Sequence, residues 1–299
     1  MTELSALIKR NTKLFFKDKG MFITSLITPL ILLVLYATFL AKVYKDSFTS
    51  YIPDGVQIAD EILDATVGGQ LISSLLAVCC VTVAFCANML MVQDKANSTI
   101  KDLTVTPVKQ SVMALGYYIS TFFSTLIICF TAIAAGFLYL NSVGWYLSFG
   151  DVMLIISDVF LLVMFGTALS SVINFFLSTQ GQISAVGTII SSGYGFICGA
   201  YMPISQFGSG LQKVLSFLPG TYATSLLRNH CLRGAFAKMK SAGLPKELID
   251  EMKNTVDCNV YFFDKSVGQN TMYLILAISV LILLVLYIAL MGKRISKKA

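Results

Sequence analysis

The 299-residue chain is too apolar for a soluble protein, because 56% of its residues are hydrophobic and only 13% are charged, against about a quarter charged in soluble domains. Its mean hydropathy is +0.76. The net charge of +6 would suggest nucleic-acid binding in a soluble chain, but in a membrane protein the distribution of the basic residues decides what this charge means. We therefore expect an all-α membrane protein that binds no nucleic acid.

Residues 1–20 predict an amphipathic helix that lies on the membrane surface. One helical face carries the apolar side chains Leu4, Leu7, Ile8, Leu14 and Phe15. The rest of the surface carries the basic side chains Lys9, Arg10, Lys13 and Lys17. Such a helix buries its apolar face at the acyl boundary and presents its basic face to anionic headgroups.

The transmembrane domain is predicted to occupy residues 21–292, with six spans. About 20 apolar residues cross a hydrocarbon core of about 30 Å, and a span must bond its backbone internally, so each is a helix. The six apolar stretches cover 21–41, 71–92, 111–140, 152–177, 183–202 and 272–291. In the fifth, Ser191, Gly195 and Gly199 share a face and allow a close helix contact, for which we prefer packing within the chain over a dimer contact.

The distribution of basic residues predicts the orientation of these spans. Lysine and arginine cluster in the N-terminal segment, in the 93–110 loop and in the basic tail, 293–299, whereas acids outnumber bases in the 42–70 loop. Basic flanks stay in the cytoplasm. Both termini are therefore predicted to be cytoplasmic, and the 42–70 loop external.

The short polar loop 93–110 predicts a small helix that docks on another surface. Its candidate N-caps are Asn97, Ser98 and Thr99, and Pro107 would end it. A helix this short is marginal alone in water. Its apolar residues, Ile100, Leu103 and Val105, should therefore form the docking face.

Between the fifth and sixth spans, residues 197–229 are apolar but interrupted by glycine and proline, and neither half is long enough to cross the membrane. We interpret them as a re-entrant helical hairpin, which is tolerated where protein or a cavity covers it. A polar external segment, 230–268, follows, with a helix beginning near Pro245. Its two cysteines, Cys231 and Cys258, are either a disulfide or two free thiols.

The sequence shows no catalytic constellation, and we expect no catalytic residue, cofactor or metal site on this chain. It lacks a GxxxxGK[ST] phosphate-binding loop, so any nucleotide must be hydrolysed by another polypeptide. Its single histidine, His230, lies in the predicted external segment. This placement excludes histidine catalysis within the membrane. A single histidine also excludes a histidine-rich metal site.

Asp158 is the acid that lies inside a predicted span, where a carboxylate must face a partner or a cavity. Three roles remain open for it: a structural hydrogen bond, which we favour, a position on the substrate path, or ion coupling. Tyr194 and Phe196 could line a hydrophobic path, although such residues more often face lipid.

Two sequence patterns resemble those of ABC-2 type transporter permeases, and together with the six spans they cover essentially the whole chain. The first pattern follows the second span: Asp94, Lys95, Thr99, Ile100, Leu103, Thr106, Pro107 and Val108. The second follows the fifth span: Gly199, Pro203, Leu211, Pro219, Tyr222, Leu227 and Arg228. The chain departs from the family pattern at Ala96, where an acid is usual, and at Ser98, where glycine is usual.

The resemblance implies a permease subunit without ATPase activity of its own. Segment 94–110 would be a coupling helix seated in a cleft of a separate cytosolic ABC ATPase, which the N-terminal helix would also contact. Two ATPase subunits, carrying ATP and Mg²⁺, would serve two permease chains, either identical or related. Transport would run outward across the cell membrane, expected to be that of a bacterium, or into its outer leaflet.

The expected substrate is an amphiphilic or hydrophobic molecule such as a drug, an antimicrobial peptide or a lipid. A long glycan fits less well, because Trp145 is the single tryptophan available for stacking on sugars. The alternative is an ion-coupled secondary carrier that acts without an ATPase. Such a carrier calls for several buried acids or for broken helices related by an internal repeat.

Overall fold

The computed structural model describes residues 3–53, 56–106, 108–263 and 265–296, and the chain is 83% helical. The helices before the fourth span are α1 (Glu3–Lys17), α2 (Lys19–Leu35), a π-helical segment (Tyr36–Leu40), α3 (Ala41–Ser50), α4 (Asp60–Ala96), α5 (Thr99–Val105) and α6 (Gln110–Val143). The later elements are α7 (Phe149–Phe176), α8 (Gln180–Ile197), a 3₁₀ turn (Ile204–Gln206), α9 (Ser209–Leu215), α10 (Pro219–Ser241), α11 (Lys246–Thr255), β1 (Val260–Phe262), β2 (Lys265–Val267) and α12 (Gln269–Ser296). The two strands pair antiparallel, with Tyr261 opposite Ser266.

Local sequence sets where several of these helices begin. Helices α7 and α8 each start with a reciprocal capping box, formed by Ser148 with Asp151 and by Thr179 with Gln182. Asp18 separates α1 from α2 and accepts a hydrogen bond from the Met21 N–H at 3.1 Å. These caps satisfy backbone N–H groups that have no partner inside the helix.

Helix α4 is the centre of the fold. The most apolar part of this 37-residue helix is completely buried, as expected for a helix that is hydrophobic all round. It contacts α2, α6, α7, α8 and α10. Two glycines allow close approach to it: a methyl group at Gly166 of α7 would lie 2.8 Å from the Cys80 carbonyl oxygen, and one at Gly69 would lie 2.9 Å from that of Cys231.

The prediction of an all-α membrane protein is confirmed. Within the described chain, five helical stretches are long and apolar enough to span a membrane: Lys19–Ser50, Asp60–Ala96, Gln110–Val143, Phe149–Phe176 and Gln269–Gly292. The predicted fifth span corresponds to α8, an 18-residue helix about 27 Å long. Its crossing of the membrane, like the orientation of the termini, stays a prediction.

The region between the fifth and sixth predicted spans differs from the sequence interpretation. Helix α10 continues for 23 residues through residue 230, where the sequence predicts the border between a re-entrant hairpin and an external segment. Polar residues of α10 are buried because they have partners elsewhere in the chain, which the local sequence does not reveal. Pro245 is the N-cap of α11 rather than its first residue, and the re-entrant arrangement stays a prediction.

Candidate functional site

The short helix predicted in the 93–110 loop is present as α5, a seven-residue helix that follows α4 after a tight turn, and its coupling role stays a prediction. Of the three candidate N-caps, Ser98 occupies the position, with a φ of 62° and no capping hydrogen bond from its side chain. This left-handed conformation is the one that glycine adopts without strain. Ser98 is also the position at which the resembling family usually has glycine.

The apolar residues that were predicted to share one face of α5 do not all point the same way. Leu103 is half-buried and packs against a cluster of buried residues from α4, α6, α7 and α12 that includes Met91 and Tyr287. Val105 is 87% exposed. The prediction of one shared face was therefore wrong for Val105, because residues two positions apart lie about 200° apart around a helix. Pro107 lies outside the described residues.

Asp94, near the end of α4, is buried and binds two other helices. Its carboxylate accepts hydrogen bonds from Arg10 of α1 at 2.8 and 3.0 Å and from the Tyr117 hydroxyl of α6 at 2.6 Å. The hydrogen bond with Asp94 raises the pKa of the Arg10 guanidinium above its ordinary value. Asp94 therefore joins α1 and α6 to α4.

Lys95, the next residue, binds the end of α7. Its ammonium group donates to the carbonyl oxygens of Asn174, Phe175 and Leu177 at 2.8, 2.7 and 3.0 Å. The last carbonyls of a helix lack partners within the helix and attract cations. We call Arg10, Asp94, Lys95 and Tyr117 the hub cluster, since together they connect α1, α4, α6 and α7 directly before α5.

The hub cluster changes the interpretation of the predicted coupling residues. Asp94 and Lys95 bind inside the chain. Among the described side chains from 99 to 106, the exposed ones are Lys101, Asp102, Val105 and Thr106. Thr99 is the first residue of α5, Ile100 is half-buried beside it, and the Thr106 hydroxyl donates to the Leu103 carbonyl at 2.5 Å.

A cavity of about 600 Å³ lies between α2, α4 and α8, and it extends to the end of the molecule that carries α5. Its α8 wall is hydroxyl-rich: Ser184, Thr188, Ser191 and Ser192. Its α2 wall includes Ile27 and Ile31, and α4 contributes Met89 and Gln93. The cavity thus offers one polar and one apolar wall.

The three predicted path residues do not come together at this cavity. Tyr194 is buried, and its hydroxyl has no hydrogen-bond partner among the described residues, whereas Phe196 is 50% exposed on α8. Asp158 is buried between α7, α10 and α12, 2.5 Å from Nδ1 of His230, and it accepts a hydrogen bond from the Tyr273 hydroxyl. The structural hydrogen-bond role that we favour for Asp158 stays a prediction, and these two partners are the contacts that such a role requires.

His230 is therefore buried against Asp158 of α7 and is not exposed to solvent, and the external position of residues 230–268 stays a prediction. The two thiols near it, Cys231 and Cys258, are both buried and free. The structure thus has the two free thiols and not the disulfide. The Cys258 backbone is held by Ser225 and Asn229, and burial raises the pKa of its thiol to about 12.

Two residues of the second family-like pattern, Gly199 and Arg228, form a cluster together with Asp257. Arg228 is fully buried, pairs with Asp257 at 3.2 Å and donates to the carbonyl oxygen of Gly199, whose φ is +77°. Pro203 precedes the 3₁₀ turn and Pro219 begins α10. The Tyr222 hydroxyl donates to the Ser216 carbonyl at 2.5 Å.

Asp257 is the member of this cluster that sequence reasoning missed. Besides Arg228, it accepts hydrogen bonds from the backbone N–H groups of Ile204 and Ser205. A buried arginine needs an anionic partner. The position of Arg228 within an apolar stretch was thus the signal that an acid of the following segment pairs with it.

Taken together, the long apolar helices define a multi-pass membrane protein, with the hub cluster and the short helix α5 at one end. The family model described as ABC-2 type transporter matches residues 2–231 of the chain, well over half of its length. The chain therefore belongs to the ABC-2 type transporter family, as a permease whose membership implies partnership with ABC ATPase subunits. The search of curated proteins finds no match.

Proposed function

We propose that the chain is the permease subunit of an exporter that moves an amphiphilic or hydrophobic molecule out across the cell membrane, driven by ATP hydrolysis on two separate cytosolic subunits. The hub cluster carries this proposal. Helix α5 has an exposed surface, and Asp94 and Lys95, directly before it, bind α1, α6 and α7. A force applied to α5 would therefore act on four helices at once.

The mechanism follows from the length and position of α4. This helix of 37 residues is about 55 Å long, begins in the predicted external loop and ends at α5. It also lines the cavity that it shares with α2 and α8. Closure of the ATPase subunits on ATP and Mg²⁺ would push α5 and tilt α4, so that the cavity opens alternately to the two sides.

The chemistry of the cavity supports an amphiphilic substrate. The serine and threonine hydroxyls of α8 face aliphatic side chains of α2 across it. Specific sites combine an apolar lining with a few polar groups that orient the ligand. A drug, an antimicrobial peptide or a lipid would each place its polar part against α8 and its apolar part against α2.

The exposed face of α8 supports a second permease chain. Ile189 is 64% exposed, and Phe196 lies exposed on the same helix. In lipid, helix contacts form through close packing of such surfaces and through small residues. A second copy, or a related chain, would complete the pathway by covering the cavity from this side. Two small residues of α8 pack within the chain instead: Gly187 lies against Met89, and Gly195 lies against Tyr201.

The ion-coupled carrier remains the competing hypothesis because of one observation, the buried Asp158 with its partner His230. Buried ionisable groups in membrane-spanning helices often mark ion pathways. However, both residues lie between α7, α10 and α12, apart from the cavity lined by α2, α4 and α8. The two hypotheses differ in one requirement: the exporter needs nucleotide for transport, and the carrier does not.

The experiment is purification of the tagged chain from its native cell in mild detergent, followed by reconstitution of the complex in liposomes. We expect an ABC ATPase to co-purify and a panel of amphiphiles to stimulate ATP hydrolysis. Transport by the chain alone, without nucleotide, would instead establish the carrier.

A pair of variants at one position tests the cavity. Thr188→Phe should remove stimulation by the amphiphile, because the larger ring fills the space between α8 and α2. Thr188→Val has nearly the volume of the native residue and should keep most of the stimulation. Equal behaviour of the two variants would show that the substrate does not pass this wall.

A further inference from the structure

Helices α10 and α11 form a groove that the transport mechanism does not use. They are joined by the short link 242–245, as in a helical hairpin. The cavity between them has a volume of about 310 Å³, which lies at the small end of the range for ligand sites. Its buried lining residues are Phe236, Ile249 and Cys258.

Both walls of this groove carry basic side chains. On α10, Arg233 and Lys240 are seven positions apart, and on α11, Lys246, Asp250 and Lys253 follow at intervals of four and three. Residues at these spacings share one face of a helix. The described lining of the groove therefore presents four cations and one carboxylate.

Part of this charge is compensated within the chain. Arg233 pairs with Asp151 at 3.1 Å, and Lys253 lies 3.7 Å from Asp250. The side chains of Lys240 and Lys246 have no ion-pair or hydrogen-bond partner in the parts of the chain that the structure describes. Two uncompensated positive charges thus face one concave site, which focuses the potential and favours an anion.

The position of the groove indicates the source of that anion. Gln269, the first residue of the last membrane-spanning helix, lines the groove, and Asp151, which pairs with Arg233, lies in the first turn of α7. Two spans therefore begin beside it. A groove beside the first turns of two spans would face the lipid headgroups on that side of the membrane.

We propose that this groove binds the phosphate group of an anionic membrane phospholipid, with Lys240 and Lys246 as the principal ligands and Arg233 and Lys253 as further donors. Lysine binds phosphate as a point charge through charge-assisted hydrogen bonds. The buried Phe236 and Ile249 give the site an apolar base, which suits a phosphate attached to a lipid better than a free anion. This inference is independent of the transported substrate.

The test uses the purified full-length chain in detergent and native mass spectrometry, with phosphatidylglycerol as the probe and phosphatidylcholine as the zwitterionic comparison. The groove variant is Lys240→Gln with Lys246→Gln. The matched control is Lys213→Gln with Lys265→Gln, which removes the same charge from lysines outside the groove lining. Loss of two charge-assisted contacts should weaken binding of phosphatidylglycerol about ten-fold or more in the groove variant, and less than about two-fold in the control.

Further measurements keep the result interpretable. Both variants should show the elution volume and unfolding temperature of the native chain, and Lys240→Arg with Lys246→Arg should bind as the native chain does. If the double glutamine variant fails to fold, the single Lys246→Gln at the start of α11 replaces it. An equal loss in groove variant and control, or an unchanged affinity in the groove variant, would overturn the proposal. Displacement by inorganic phosphate together with no preference for phosphatidylglycerol would overturn the lipid assignment.

Discussion

Arg10 and Asp94 lie 84 positions apart in the sequence and form a two-point ion pair, with N···O distances of 2.8 and 3.0 Å. The pair ties the amphipathic helix α1 to the end of the central helix α4. Because Asp94 is only 6% exposed, its carboxylate depends on Arg10 and on the Tyr117 hydroxyl for the interactions that water would otherwise supply. This contact joins α1 to the end of the helix that leads directly into α5.

Replacement of Arg10 by alanine should therefore destabilise the chain and disconnect α1. A buried carboxylate that loses its cationic partner costs about 1 to 3 kcal/mol. The measurement is the free energy of unfolding in detergent, together with substrate-stimulated ATP hydrolysis by the assembled complex. Lys9→Ala, at the exposed neighbouring position, is the control and should leave both unchanged. An Arg10→Ala variant as stable and active as the native chain would contradict the role of the hub cluster.

The left-handed conformation of Ser98 predicts that glycine at this position stabilises the chain relative to glycine at the neighbouring Asn97. An L-residue in this conformation costs about 1 to 2 kcal/mol, which glycine avoids. Ser98→Gly should therefore be more stable than Asn97→Gly by about 1 kcal/mol, because Asn97 has an ordinary φ of −85° and gains nothing from glycine. Chemical unfolding in detergent measures the difference. A reversed order would show that the turn before α5 is not as described.

The sequence predicted the features that depend on neighbouring residues, but not those that depend on contacts between residues distant in the chain. Apolar run lengths predicted the central helices, and a polar interruption with a turn predicted α5, because both signals are local. The partners of Asp94 and Lys95 are not local: they lie on α1, α6 and α7, and periodicity within α4 carries no information about them.

The same limit explains why the sequence did not reveal that α10 stays buried beyond residue 229. His230 made this part of the sequence look solvated, since polar residues are mostly exposed, and nothing in the sequence near Arg228 showed which acid pairs with it. In the structure both residues are buried because Asp257 and Asp158 pair with them. Pairing with acids that are distant in the sequence thus allows this polar stretch of α10 to be buried.

The pair formed by Asp158 and His230 yields a prediction that separates structure from transport. Asp158→Asn keeps an oxygen that can accept the hydrogen bond from Tyr273, so the chain should fold and transport largely as the native protein does. Asp158→Leu leaves His230 and Tyr273 without their partner in a buried site and should lower the free energy of unfolding by about 1 to 3 kcal/mol. Unfolding in detergent and transport in liposomes are the two measurements. A folded Asp158→Asn variant without any transport would instead support a role in ion coupling.

Two residues of α5 distinguish attachment of this helix to the permease from contact with the ATPase. Leu103 packs into the buried cluster below α5, whereas Val105 points away and is almost fully exposed. Leu103→Asp should therefore lower the stability of the permease itself by at least about 1 kcal/mol, since a charge enters an apolar contact. Val105→Asp should leave that stability unchanged and weaken co-purification of the ATPase. Unfolding in detergent gives the first quantity, and the amount of ATPase recovered per permease gives the second. If Val105→Asp retained the full amount of ATPase and full stimulation of hydrolysis, the exposed end of α5 would not be the contact, and the coupling surface would have to lie elsewhere on the same side of the membrane.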